Sequence, residues 1–434
     1  MRESKISAKE FIHINEIGPD SVDMQNCCNQ FMDEMQRGLA GEKSPVAMLP
    51  TYISIQEELP VNEPVIVLDA GGTNFRTCTV SFDEKLQPVI SNFNKNKMPG
   101  LEREVSANEF FTLIADYVQP VIHSSCKIGF CFSYPTEINP SRDGRLLFFS
   151  KEIKAPEVFG MQIGENLLKT LGKEAAGHIT NLTILNDTVA TLLAAKAVTT
   201  GKKYSGYIGF ILGTGTNTSY LESNRNITKV SGLDLNGYQI INVESGGFGL
   251  KGSPLDQEFY ATTENPEKYH FEKLISGAYL GPCAEKVINA AINSGLFSNE
   301  FCKKFKTLGP IDTIIMDSFL HEPQNIEGKL AWCCADDNDS EALYQLLDAI
   351  IERAGKLTAV NLSAAVLKAD IGNHPAYPAC INADGTTFYK THNLKAYTEY
   401  YLHQFLGMEH GRYYEIIAVD NAPVLGAAIA GLMN

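Results

Sequence analysis

Two apolar runs in this chain are each followed by glycines and then by residues that favour an extended backbone. Val65–Leu68 leads into Asp69–Gly72, and Tyr207–Leu212 leads into Gly213–Gly215. A short, continuous apolar run bounded by turn residues is typical of a buried strand. Because glycine lacks a Cβ and tolerates positive φ, each pattern predicts a strand–turn–strand hairpin, with positive φ at Gly71 and Gly72.

Such hairpin tips expose backbone N–H groups that form a concavity suited to an anion. Asp69 ends the first predicted strand, so its carboxylate would lie beside that anion. A divalent cation with its waters between the two would explain that arrangement. An ordinary hairpin with a polar tip is the alternative, and the first stretch alone does not decide between them. The second hairpin favours two related half-molecules that face each other across a nucleotide.

Two further strands are predicted to end at polar residues. Lys127–Phe132 is followed by Ser133 and a proline that takes the chain out of the sheet, so Ser133 can face a cleft. Thr183–Leu185 leads into Asn186 and Asp187, and Asp187 heads a helix over residues 188–197. A carboxylate at the end of a strand is often only a helix N-cap, and this reading stays open for Asp187.

Apolar residues at helical spacing predict amphipathic helices elsewhere. The first has Ser21 as its N-cap and apolar residues at helical spacing from Cys28 to Leu39, until Gly38 and Gly41 end the pattern; others cover residues 107–118 and 352–366. Residues 336–339, Asp-Asp-Asn-Asp, are predicted to form a solvated loop. Residues 188–197 and 423–431 are rich in small side chains, so the two helices could cross closely, either as core helices or as a hinge.

Six motifs, in order, resemble those of the hexokinase and glucokinase family of eukaryotic type. They read LDAGGTNFR, GFCFSYP, LNDTVATLLA, GTGTNTSY, NVESGGFG and FEKLISGAYLG, and the resemblance runs from about Phe31 to the C-terminus. It implies an α/β chain with the two-domain actin-like ATPase (ribonuclease H-like) fold, in which helices flank mixed sheets and a cleft separates the domains. The small domain would comprise residues 64–186 and 421–434, and the large domain residues 1–63 and 187–420. The small-residue helices would then form the hinge, and residues 47–53 would pack on the large domain.

The resemblance also implies a reaction, the transfer of the γ-phosphoryl group of ATP to the 6-hydroxyl of a hexose, with glucose favoured. Asp187 matches the catalytic base, and Lys151 would neutralise charge on the transferred group. Taken singly, each of the matching polar residues could be an ordinary surface or turn residue. The residues that match sugar-binding positions are Ser133, Ser150, Lys151, Asn186, Asp187, Asn217, Glu244 and Glu272.

ATP and Mg²⁺ are the implied cofactors. Asp69 and Asp187 would hold the metal through water, and residues 384–386, predicted as a turn between strands, would lie on the adenosine side. The residues that match nucleotide-binding positions are Asp69, Gly71, Gly72, Thr73, Asn74, Arg76, Gly213, Thr214, Gly215, Thr216, Asp384, Gly385 and Thr386.

The chain departs from the family pattern at three places. Relatives carry a Ser-Gly-x-Gly-Ala-Ala type sequence before the last helix, whereas residues 421–428 here read NAPVLGAA. Pro423 suits the first position of a helix, but the lost serine and glycine contacts put nucleotide affinity and base preference in doubt. Ser245 stands where some relatives have a bulky aromatic residue, which should alter the wall of the site, and Ser150 replaces a common threonine.

Other nucleotide-dependent classes fit less well. Residues 247–252 match GxGxxG, but no βαβ unit surrounds them, and no GK pair is followed by Ser or Thr as a Walker A sequence requires. Actin-like and heat-shock chaperone ATPases share the paired hairpins but are not expected to carry the sugar cluster. A non-enzymatic sugar sensor that kept the binding residues is the remaining alternative.

Composition sets the wider expectations. At 434 residues the chain is long enough for two domains, and its net charge of −15 argues against nucleic-acid or anionic-membrane partners. The ten cysteines form no CxxC or zinc-type spacing. With no signal-type segment and no long apolar run, we expect a cytoplasmic protein with reduced thiols that binds hexose and ATP. The sequence leaves the oligomeric state open.

Overall fold

The chain builds two mixed β-sheets and one short hairpin, with helices packed around them. The computed structural model describes residues 6–55, 59–149, 153–199 and 201–433. Its strands are β1 (Leu49–Pro50), β2 (Val65–Ala70), β3 (Asn74–Phe82), β4 (Pro88–Lys97), β5 (Lys127–Phe132), β6 (Thr136–Ile138), β7 (Gly144–Leu146), β8 (Asn181–Leu185), β9 (Gly206–Leu212), β10 (Thr216–Ser223), β11 (Tyr238–Asn242), β12 (Ala379–Asp384) and β13 (Tyr414–Ile417).

The two large sheets repeat one topology. The five-stranded sheet has the order β4-β3-β2-β5-β8, and the six-stranded sheet has the order β1-β11-β10-β9-β12-β13. In each sheet the first three strands of the repeat pair antiparallel, and the next two continue in parallel. Strand β1 is added to the edge of the six-stranded sheet, against β11. The repeat confirms the predicted half-molecules, and β1 confirms that residues 47–53 pack on the larger sheet.

Helices cover the faces of both sheets. A π-helix, His403–Glu409, directly follows the α-helix that ends at Leu402. The α-helices are α1 (Ala8–Ile14), α2 (Met24–Ala40), α3 (Ala107–Val118), α4 (Ile163–Ala176), α5 (Asp187–Val198), α6 (Pro254–Tyr260), α7 (His270–Ile275), α8 (Leu280–Asn293), α9 (Asn299–Phe305), α10 (Thr313–His321), α11 (Lys329–Cys333), α12 (Asp337–Lys368), α13 (Thr386–Lys390), α14 (Leu394–Leu402) and α15 (Ala422–Met433).

Helices α5 and α15 cross each other between the two sheets. A Cβ added to Gly426 of α15 would lie 2.0 Å from the Ala190 carbonyl oxygen of α5, so the two backbones touch. On the side of the five-stranded sheet, a Cβ on Gly129 of β5 would lie 1.8 Å from the Ala427 oxygen of α15. Toward the other sheet, a Cβ on Gly209 of β9 would lie 2.3 Å from the Thr188 oxygen of α5. Small residues therefore allow α5 and α15 to pack closely on each other and on the two sheets, as the sequence predicts. The domain boundaries themselves stay a prediction.

Two local predictions are wrong. Ser21 is not the N-cap of α2, because Asp23 accepts the Asn26 amide and Ser21 instead ends a short 3-10 turn. Residues 336–339 are not a solvated loop: Asp336 caps α12, and the buried Asp339 accepts bonds from the Ser298 amide and hydroxyl at 2.8 and 2.6 Å. Carboxylates are stabilised in the first turn of a helix, which explains why this acidic run starts one.

Helix α12 also begins 15 residues before the predicted start, since its buried face continues back from Ile350 through Leu343. All ten cysteines carry free thiols. No helix in the described ranges is both long enough and apolar enough to cross a membrane.

Candidate functional site

A cavity of about 750 Å³ opens where strands of both sheets end. Ser133 follows β5, Asn186 and Asp187 follow β8, and Glu244 follows β11. Strands β5 and β8 pair in parallel, so their carboxyl ends lie at one edge of the five-stranded sheet, and Glu244 at the end of β11 in the other sheet lines the same cavity. Ser150 and Lys151 lie outside the described residues. The predicted sugar-binding residues that line the cavity are Ser133, Asn186, Asp187, Asn217, Glu244 and Glu272.

Asp187 is held at the start of α5 but is not the N-cap of this helix. Asn186 is the cap, and its Oδ1 accepts the Thr188 amide at 2.9 Å. Asp187 Oδ1 accepts the same amide at 2.9 Å. Within the described residues, Asp187 Oδ2 makes no hydrogen bond. The helix therefore orients the carboxylate, and one of its oxygens stays available to a ligand. Because Asn186 is the N-cap, capping does not account for Asp187.

Two asparagines orient Glu244. Asn242 donates from Nδ2 to Glu244 Oε1 at 2.8 Å and accepts from Asn217 Nδ2 at 2.7 Å. The Asn217 Oδ1 accepts the amides of Thr218 and Ser245, which fixes its amide group. Glu244 itself adopts a left-handed backbone with φ of 56°, which is uncommon for a residue other than glycine. Strain of this kind is concentrated at functional sites, and here it turns the side chain of Glu244 into the cavity.

Glycines make room for the second acid. Glu272 Oε2 accepts the Thr216 amide at 2.9 Å. A Cβ on Gly215 or on Gly246 would lie 2.7 or 3.0 Å from that oxygen, so the two glycines leave room for the carboxylate in its observed position. Burial raises the pKa of Glu272, and the Thr216 amide opposes the rise.

The pKa of Glu244 is raised to about 7. Burial is the main cause, the hydrogen bond from Asn242 opposes it, and the charges of Asp187 and Glu272 add to it. The three carboxylates therefore repel one another in a partly desolvated cavity, and hydrogen-bond donors on a ligand would relieve that repulsion.

A second cavity of about 250 Å³ adjoins the first. Asp187, Ser133 and Ile211 line both cavities, so the two meet at the candidate base. Gly213 and Thr386 belong to neither wall, whereas Thr214, Gly215 and Thr216 line the larger cavity. The predicted nucleotide-binding residues that line the smaller cavity are Asp69, Gly71, Gly72, Thr73, Asn74, Arg76, Asp384 and Gly385.

Comparison with known proteins identifies the family. Two family models, each described as hexokinase, match residues 13–197 and 207–433. The chain belongs to the hexokinase family. Human hexokinase-3 is 30% identical over 364 residues, which are 78% of this chain and 38% of that protein. Horse hexokinase-2 is 28% identical over 389 residues, 83% of this chain and 41% of that one, so the chain spans about two fifths of these relatives.

Solved structures confirm the actin-like ATPase fold. A hexokinase from Schistosoma mansoni, complexed with glucose, superposes with a TM-score of 0.77 at 21% identity, covering 98% of this chain and 99% of that one. A glucokinase from an Antarctic psychrotroph gives a TM-score of 0.54 at 15% identity, with coverage of 85% and 98%. The predicted membership of the eukaryotic-type hexokinase family and the predicted fold class are both confirmed.

The first hairpin differs from its prediction in backbone conformation. Neither Gly71 nor Gly72 has positive φ. The reversal instead closes through the Gly71 amide, which donates to the Asn74 oxygen at 3.0 Å. Asp69 is buried and pairs with Arg76 across the hairpin at 2.8 Å, so the arginine neutralises the acid from the neighbouring strand.

Near the second hairpin, the predicted turn between strands is wrong, because β12 leads into a helix. Gly385 turns the chain with φ of 114°, and a Cβ there would lie 2.2 Å from the Leu212 oxygen. Helix α13 then begins at Thr386, and Thr387 donates to the Gly213 oxygen at 2.9 Å. The glycine is therefore required for close packing of this segment on the hairpin.

The departures from the family pattern fall in different places. Pro423 lines the smaller cavity as the second residue of α15, not the first, and supplies no N–H there. Ser245 is fully buried behind Glu244, donates to the Thr218 hydroxyl at 3.2 Å and does not line the larger cavity. Ser245 itself therefore does not change the wall of the larger cavity.

Sequence reasoning missed Asn242 and two tyrosines. Asn242 ends β11 and reads as an ordinary strand residue, although it joins Asn217 to Glu244. Tyr269 and Tyr279 line the larger cavity near Glu272. No pattern in the sequence marks Asn242, because Glu244 lies beyond the end of β11 with a left-handed backbone and strand alternation does not relate the two side chains.

Proposed function

We propose that this protein is an ATP-dependent hexokinase that transfers the γ-phosphoryl group of ATP to the 6-hydroxyl of a hexose. One observation carries the proposal: Asp187 lies where the two cavities meet. The larger cavity is lined by carboxylate, amide and hydroxyl groups suited to a sugar, and the smaller one by the residues of the first glycine hairpin. Glucose is the first candidate, because a similar structure from Schistosoma mansoni is described as complexed with glucose.

The hexose would be held by carboxylates that accept hydrogen bonds and by amide and hydroxyl groups that both accept and donate them. Asn217, Glu244 and Glu272 stand on one side of the larger cavity and Ser133 on the other. Carboxylates are suited to this task because each oxygen can accept from a sugar hydroxyl. Ser150 and Lys151 keep their proposed roles at the sugar and at the transferred phosphoryl group on the strength of the sequence motif alone.

Asp187 would accept the proton of the attacking hydroxyl as the new O–P bond forms. Phosphoryl transfer depends mainly on positioning and charge stabilisation, so a carboxylate that orients the hydroxyl is sufficient. The Thr188 amide holds Oδ1, which leaves Oδ2 for the hydroxyl of the acceptor.

The hairpin cavity fits a triphosphate and its metal. Gly72 and Thr73 line it, and within the described residues their backbone N–H groups have no protein acceptor. No cluster of three or more potential protein metal ligands occurs in those residues, so Mg²⁺ would rely on phosphate and water, with Asp69 and Asp187 binding through water. Bound Mg²⁺ would supply neutralisation of phosphate charge.

The two-domain division is part of the proposal. Residues 64–186 with 421–434 would move against residues 1–63 with 187–420, about the crossing of α5 and α15. Because the hexose would contact both sides of the cleft, its binding would favour closure and exclude water, which limits futile ATP hydrolysis.

A coupled assay of ADP release tests the function. Glucose, mannose, fructose and amino-sugars are compared as acceptors for the wild type, for Asp187→Ala and for the exposed control Asp116→Ala on α3. We expect sugar-dependent ADP release, and a loss in kcat of about a hundredfold or more for Asp187→Ala only. Hexose binding without ADP release by the wild type would establish the sugar-sensor alternative instead.

A further inference from the structure

One side chain joins the wall of the larger cavity to the tip of the first hairpin. Tyr134 lines the larger cavity, and its ring packs on Phe132 and Phe149 with centroids 5.0 Å apart in each case. Its hydroxyl donates to the carbonyl oxygen of Gly71, in the tip of the first hairpin, at 2.6 Å. The neighbouring Ser133 amide donates to the Ala70 oxygen at 3.1 Å, so the segment after β5 is tied twice to the end of β2.

The orientation of a peptide group follows from this bond. The carbonyl of Gly71 and the N–H of Gly72 belong to one planar trans peptide, so they point in opposite directions. Tyr134 fixes the carbonyl on the side of the larger cavity and does not line the smaller one, whereas Gly72 does. Among the described residues nothing accepts the Gly72 N–H, so this donor remains available to a ligand.

We propose that Tyr134 is a positioning residue for phosphoryl transfer, holding the Gly71–Gly72 peptide so that the Gly72 N–H faces the phosphates of the nucleotide. This inference rests on the proposed function for the identity of the anion. In this proposal the phenol acts on the phosphates through the peptide and touches no phosphate. Burial raises the pKa of Tyr134, so the hydroxyl remains a protonated donor throughout the working range.

The ring gives the same residue a second contact, with the hexose cavity. Its neighbour Phe149 also lines the larger cavity. Tyr134 therefore contacts both the larger cavity and the tip of the first hairpin.

Tyr134→Phe removes only the hydroxyl and keeps the ring in place. The matched control is Tyr220→Phe, since Tyr220 is also buried and donates at 2.6 Å, but to Glu222 within β10. For each variant, calorimetry gives the dissociation constants of MgADP, adenosine and glucose, and steady-state kinetics gives the KM for ATP and kcat. A modest loss of stability leaves nearly all of the protein folded, so the apparent dissociation constants and KM stay comparable and the test remains valid.

We expect Tyr134→Phe to weaken MgADP binding and raise the KM for ATP by about tenfold, the scale for one hydrogen bond to a charged group. Adenosine and glucose should bind within about twofold of wild type, because neither uses the Gly72 N–H, and Tyr220→Phe should leave all these constants unchanged. Equal losses for MgADP and glucose, no loss for MgADP, or the same loss in Tyr220→Phe would overturn the inference. If the wild type released no ADP with any hexose, the proposed function would fail, while the MgADP and adenosine measurements would still decide the role of Tyr134.

Discussion

The ionised carboxylate of Glu244 is predicted to lower the free energy of unfolding of the protein. Its pKa is raised from 4.5 to about 7, chiefly by burial, with the charges of Asp187 and Glu272 adding to the rise. The folded protein therefore binds a proton that the unfolded chain releases between these two values. The free energy of unfolding must fall as the pH rises from 4.5 to about 7, and the loss persists above that window.

The size of the effect follows from the shift. A shift from 4.5 to about 7 corresponds to about 3 kcal/mol, at about 1.4 kcal/mol per pH unit. Part of the side chain is open to the cavity, so water screens some of this energy, and we expect about 1.5 kcal/mol. Glu244→Gln removes the charge but keeps an Oε1 acceptor for the Asn242 amide, so the hydrogen bond of 2.8 Å can persist.

The assay is thermal unfolding of Glu244→Gln and wild type without hexose, at pH 5 and pH 8. At pH 8 the variant should melt about 3 °C above the wild type, and at pH 5 the difference should shrink by more than half, since Glu244 is then protonated in the folded protein. The control is Glu174→Gln, an exposed position on α4, whose difference from wild type should not change with pH. A Glu244→Gln difference that is the same at both pH values would refute the reasoning, whatever its sign.

The remaining predictions concern packing. Arg353→Met leaves Asp256 buried without the two bonds of 2.8 and 2.9 Å it accepts from the guanidinium, so the free energy of unfolding should fall by about 3–5 kcal/mol in urea titrations. Lys395→Met, which breaks an exposed pair with Glu399, should cost under about 1 kcal/mol, and similar losses for both would contradict the argument. Gly129→Ala would place a Cβ 1.8 Å from the Ala427 oxygen and should cost about 3 kcal/mol. The control Gly407→Ala, whose Cβ would have its nearest neighbour at 3.4 Å, should not lower the stability. An unchanged melting temperature for Gly129→Ala would contradict the argument, because it would show that α15 is free to shift.

Local patterns were sufficient for much of the fold. The runs before Gly71 and Gly213 became β2 and β9, and residues 107–118 form α3 with the predicted bounds. These elements were predictable because a continuous apolar run or one clear apolar face admits few alternatives. Helix α12 was predicted too short, since its start depends on Asp336 capping and on Asp339 bonding to Ser298, which lies 41 residues away in the sequence.

The candidate site was predictable where it lies at the ends of strands. Asn186, Asp187 and Glu244 follow apolar runs directly, so the motif and the geometry agree on them. Asn242 and Tyr134 were missed as participants because each acts through a partner that the sequence does not reveal. Asn242 needs its register opposite Ser219 on β10, and Tyr134 needs the contact with Gly71, 63 residues earlier in the chain.

The negative charge of the larger cavity favours a ligand that donates hydrogen bonds. Its described lining includes Asp187, Glu244, Glu264 and Glu272 but no Lys, Arg or His. Burial raises the pKa of Glu244 and of Glu272, and for Glu244 the charges of Asp187 and Glu272 add to the rise, so burying these carboxylates together without donors is unfavourable. The proposed hexose offers several hydroxyl donors at once, so its binding would relieve that repulsion. The proposed closure of the cleft around a bound hexose would then bury paired rather than unpaired carboxylates, so we expect closure to follow hexose binding and not to precede it.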